Sequence, residues 1–61
     1  MTFRELRRIV RDYFAACELA YRHDDEPYRY ASRREWEKAG EKLWRIVSER
    51  EQQLRAAVGK R

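Results

Sequence analysis

The side chains best equipped for chemistry lie in one stretch, YRHDDEPYRY, from Tyr21 to Tyr30. His23, the only histidine, is followed by Asp24, Asp25 and Glu26, four neighbours that could ligate a metal or move a proton. Their spacing argues against a metal. Calcium loops place oxygens at alternating positions and end on a distant bidentate glutamate, and zinc asks for more nitrogen or sulfur than one histidine and Cys17 supply. Nucleophilic catalysis needs a base held against the nucleophile. Ser32 is better used as a helix cap, and Cys17 falls on an apolar face between Tyr13 and Tyr21. The chain is therefore expected to be no enzyme, with no catalytic residue, metal, cofactor or small-molecule substrate, and His23 to Glu26 to form a solvated corner.

The same stretch suits recognition better. Tyr21, Arg22, Tyr28, Arg29 and Tyr30 combine residue types enriched at interface hot spots, and they are expected to form a partner-binding patch. The competing reading is a lid, with tyrosine rings covering the end of a core while their hydroxyls stay wet. A second candidate surface is basic. Arg4, Arg7, Arg8 and Arg11 fall at successive helical turns, as do Arg34, Lys38, Lys42 and Arg45 further on. Like charges at such spacing repel by a few tenths of a kcal/mol per pair, so an anion should offset them. Glu49 and Glu51 are expected beside the first stripe and Glu18 beside the second; nucleic-acid phosphate is the external alternative.

The elements that carry these residues are marked by caps. Thr2-Phe3-Arg4-Glu5 and Ser32-Arg33-Arg34-Glu35 both read as capping boxes. Pro27 ends the first helix, because it lacks a backbone donor and turns Glu26 from helical angles. Gly59 is a suitable stop for the second. The pattern predicts helices over about 3–24 and 33–58 with a corner over about 25–31. At roughly 100° per residue, one side of helix 1 collects Phe3, Leu6, Ile9, Val10, Tyr13, Phe14, Cys17, Ala20 and Tyr21. Helix 2 collects Trp36, Ala39, Gly40, Leu43, Trp44, Ile46, Val47, Leu54, Ala57 and Val58, broken by Arg50 and Glu51. That pair is expected to form an ion-pair layer with Glu5, Arg8 or Asp12 of helix 1; the sharper alternative is that Arg50 fixes the register or orientation of the helices.

A chain of 61 residues buries only about 60% of its unfolded surface, and a lone cysteine allows no internal disulfide. Fifteen basic and eleven acidic residues leave a net charge of +4, and the aromatic content argues for a packed core rather than disorder. No apolar run reaches the ~20 residues of a membrane span, and the N-terminus lacks a signal-peptide segment; a reduced, cytoplasmic setting is expected.

The fold class is all-α, a single-domain antiparallel helical hairpin. Each apolar arc is wider than one neighbour covers, so the hairpin is expected to dimerise into a four-helix bundle with Leu6, Val10, Tyr13, Phe14, Trp36, Leu43, Trp44, Val47 and Leu54 in the core. The leading functional expectation is a small adapter- or inhibitor-like protein, of the kind common among accessory and phage-encoded chains, with a protein partner. The alternatives are a nucleic-acid-binding module and a structural subunit whose apolar trough docks on a larger assembly.

Overall fold

The computed structural model describes residues 2–59. The first helix, α1, spans Phe3–Asp25, a short 3-10 turn follows at Pro27–Arg29, and the second helix, α2, spans Arg33–Gly59. Together they make an all-α hairpin, with no strand among the described residues.

The start of α1 is a complete capping box. Thr2 Oγ1 accepts the Glu5 N–H at 3.2 Å, and Glu5 Oε2 accepts the Thr2 N–H at 3.4 Å. At α2 only half of the expected box forms: Ser32 Oγ accepts the Glu35 N–H at 3.2 Å, and among the described residues no bond returns from the Glu35 carboxylate. At the corner, Glu26 caps α1 at φ −126° and ψ 55°, its N–H reaching the His23 carbonyl. Gly59 is the last residue of α2 and the last described residue, and no described glycine takes a positive φ, so the cap expected there lies outside the described residues.

The helices meet along a seam finer than the broad arcs drawn from the sequence. Leu6, Ile9, Tyr13, Ala16, Ala20 and His23 on α1 alternate steps of three and four, and so do Trp36, Gly40, Leu43, Val47, Arg50, Leu54 and Ala57 on α2; every one is buried or half-buried. This is the 3.5-residue period of helices packing at a shallow angle. The seam is lined by small residues where it is tightest. Ala16, Ala20 and Val47 form the buried cluster, with Tyr13, Cys17, Leu43 and Trp44 packed around it.

Ion pairs do not join the helices. Every pair among the described residues is local: Glu18–Arg22, His23–Asp24, Glu26–Arg29, Arg33–Glu37 and Glu51–Arg55. The layer expected around Arg50 and Glu51 is therefore absent. Glu51 turns to Arg55 at 2.9 Å, and the half-buried Arg50 bonds Gln53 Oε1 at 3.3 Å. Pairing one turn away orders shorter stretches of chain than reaching across the seam, and exposed pairs contribute under about 1 kcal/mol either way.

The hairpin is a slab one helix thick, 45 × 14 × 11 Å along its principal axes. Of the expected core, only Val47 is buried; Leu6, Val10, Tyr13, Trp36, Leu43, Trp44 and Leu54 are half-buried, and Phe14 is 64% exposed. No large side chain among the described residues is fully buried. The chain exposes 5473 Å², whereas a compact monomer of 7.6 kDa exposes about 4,300 Å².

Candidate functional site

The corner is organised by a residue that the sequence reading left in solvent. His23 is 6% exposed and enters a reciprocal clasp with Trp36. Its Nε2 donates to the Trp36 carbonyl at 2.7 Å, while the Trp36 indole N–H donates to the His23 carbonyl at 2.9 Å. The rings stack, 5.0 Å apart and 7° from parallel, and Tyr30 closes the open edge of the imidazole at 5.4 Å. The clasp adds to the capping of α1, since the last carbonyls of a helix lack their usual partner four residues on and the indole gives the His23 carbonyl a side-chain donor beside the Glu26 N–H. A carbonyl only accepts, so Nε2 carries a proton toward Trp36.

Gly40 makes room for this ring. A Cβ there would lie 2.7 Å from His23 Cε1, so the α2 backbone can pass over the imidazole only without a side chain. On its other side, His23 Nδ1 stands 3.0 Å from Asp24 Oδ1, and the same carboxylate accepts the Trp44 indole N–H at 3.2 and 3.3 Å. Asp24 and Asp25 are exposed, as expected, and form the last residues of α1, which runs one residue further than the sequence reading placed it. The cost of a carboxylate near a helix C-terminus is offset for Asp24 by two donors. Glu26, half-buried, takes Arg29 at 2.7 Å. His23, Asp24 and Glu26 are therefore engaged with protein groups. Neither Cys17, half-buried against α2, nor the exposed Ser32 has a base against it.

The five corner residues divide between different surroundings. Arg22, Arg29 and Tyr30 rim a shallow hollow with Leu19, His23, Glu26 and Leu43. Tyr28, 76% exposed, shares a second, more apolar hollow with Pro27, Tyr30, Ala31 and Trp36. Tyr21 lies apart from both, its ring edge-on to Trp44 at 5.4 Å. Tyr30 is the lid, and Tyr28 is free surface.

The sequence matches no protein-family model, no curated protein and no solved structure. The surfaces must speak through their own geometry.

The basic stripes are exposed and stand at opposite ends of the slab, one in the first half of each antiparallel helix. Arg4, Arg7, Arg8 and Arg11 line an open hollow with Asp12, and among the described residues none has a carboxylate within 4.0 Å. The same holds for Arg34, Lys38, Lys42 and Arg45. The internal partners expected for them are occupied or distant: Glu51 pairs with Arg55 and Glu18 with Arg22, while Glu49 has no ion-pair partner among the described residues.

Around the middle of α1 the flank beside the seam is apolar. Phe14 touches Tyr13 at 5.7 Å and is otherwise open, with Tyr21 61% and Phe3 80% exposed. The Tyr13 phenol is held above its ordinary pKa, chiefly through its hydrogen bond with the side chain of Cys17 one turn on. No helix among the described residues is long and apolar enough to cross a membrane.

Sequence reasoning missed His23 and Ala16, and placed Gly40 on the apolar arc of helix 2 without its role beside His23. The signal was present: His23 continues the three-four spacing of Ala16 and Ala20, and a glycine inside a helix, which costs about 1 kcal/mol relative to alanine, marks a close approach.

Proposed function

We propose that this chain is a small, non-enzymatic interaction protein, adapter- or inhibitor-like, that is half of a four-helix bundle. A second copy covers the apolar flank, and the corner is offered to a macromolecular partner. The observation that carries the reading is the surplus of open surface: Phe14, Tyr21 and Phe3 are more than half exposed on one hairpin, and Val58 is 49% exposed. The excess over a compact monomer, about 1,200 Å² by mass scaling, is more than the ~800 Å² each partner buries in a standard interface. Tyr28 with Arg22 and Arg29 forms the outward-facing part of the corner, tyrosine and arginine being the side chains that carry most hot spots.

Substitution of Tyr28 tests the corner. Tyr28→Ala should leave thermal stability within about 0.5 kcal/mol, as exposed positions do, and weaken partner capture. Tyr30→Ala should lower stability by uncovering His23. Equal stability losses for both would reduce the corner to a lid.

The unpaired Arg4, Arg7, Arg8 and Arg11 favour a second reading, a nucleic-acid-binding module. Several phosphate contacts make affinity fall by orders of magnitude between low and moderate salt, so an absence of DNA or RNA retention at low salt removes it. The third reading, a structural subunit whose trough docks on a larger assembly, uses the same apolar flank for a different occupant.

A further inference from the structure

We infer that the second copy docks α1 against α1, antiparallel, with Phe14 near the two-fold axis and the unpaired arginines of each chain facing the acidic half of the other. The inference rests on the half-bundle reading and names its interface.

The argument begins with charge order. Arg4, Arg11, Glu18 and Asp25 recur at a heptad interval along α1, which keeps them on one line of the helix with about 20° of drift per heptad. All four are exposed. The line reads basic, basic, acidic, acidic, antisymmetric about its midpoint between Phe14 and Ala15. A two-fold axis through that midpoint sets Arg4 beside the partner subunit's Asp25 and Arg11 beside the partner subunit's Glu18, each pairing occurring twice. Parallel stacking would set like charges together.

The apolar flank occupies the same stretch. Val10, Phe14, Cys17 and Tyr21 lie on the side of α1 adjoining this charged line, with Phe14 and Tyr21 more than 60% exposed. They supply the buried centre of the contact, and the charged line supplies its rim. The corresponding flank of α2 is poorer, since Glu37, Glu41, Ser48, Glu51 and Arg55 leave only Trp44 and Val58 apolar, so the docking is led by α1. The pairing also explains why α1 tolerates charges of the sign its own dipole disfavours, arginines in its first turns and aspartates in its last. Isologous interfaces are self-complementary by construction, and opposite potentials across an interface fix its register and orientation.

The test is complementary charge reversal read by sedimentation equilibrium. Wild-type protein, Arg4→Glu/Arg11→Glu and Glu18→Arg/Asp25→Arg are measured alone, and the two variants are also measured mixed in equal amounts, at low salt. Both double variants put charge of the favourable sign at the ends of α1, and none of the four positions lies in the seam, so helical content by circular dichroism should hold. The expected result is a dimer for wild type, association weakened about tenfold or more for each variant alone, and recovery on mixing, because each variant then meets its complement. A wild-type monomer overturns both this inference and the half-bundle reading. A wild-type dimer with two variants that associate equally well overturns the α1 pairing alone, as does weakened association that mixing fails to repair.

Discussion

At the scale of residues, the hairpin turns on His23 and the notch that Gly40 leaves for it. The imidazole is fixed by the Trp36 carbonyl on one nitrogen and Asp24 on the other, so it cannot swing aside at small cost. Gly40→Ala is therefore expected to destabilise the chain by about 1 kcal/mol: overpacking of a filled site costs 1–3 kcal/mol against a helix-propensity gain of about 1 kcal/mol. Urea unfolding at fixed protein concentration measures it. In a His23→Ala background the notch is empty, and the same substitution should become stabilising. A cost that persists unchanged without the imidazole would disprove the contact. None of this was legible in composition. A histidine beside three carboxylates reads as solvent-facing because the sequence does not show that an indole thirteen residues on will both stack on it and cap its carbonyl.

At the scale of elements, local signals were legible and cross-helix ones were not. Thr2 and Ser32 announce the two starts, and Pro27 the corner, because capping and proline effects are settled within a few residues. The two caps differ in completeness, and that difference predicts their weight. Thr2→Ala, which breaks both arms of a closed box, should cost more than Ser32→Ala, with each in the range of about 0.5–2 kcal/mol. Helicity and melting temperature of the two variants check the order, and a larger loss at Ser32 would contradict it. The broad apolar arcs were correct in kind but too coarse. They included Phe14 and Val58, which the seam leaves outside, and omitted Ala16, which it buries. Hydrophobicity ranks alanine low, yet small residues set the distance at which the helices meet. Ion pairing failed as a guide for the opposite reason: Glu51 has several arginines within reach along the sequence, and Arg55, one turn on along its own helix, holds it.

At the scale of the whole molecule, a slab 11 Å thick cannot shield aromatic side chains on its faces, whatever their sequence. That geometry links the open flank of α1, the half-buried indoles and the unpaired arginines into one account, in which a single hairpin is an incomplete core. On the proposed half-bundle, part of the chain's stability lies in its association, so that melting temperature should rise with protein concentration. The most direct measurement is the mass of the unmodified protein in solution, by sedimentation equilibrium at micromolar concentration and moderate salt. The account predicts twice the chain mass of 7.6 kDa. A single folded chain, with full helical content and a melting temperature indifferent to concentration, would contradict it.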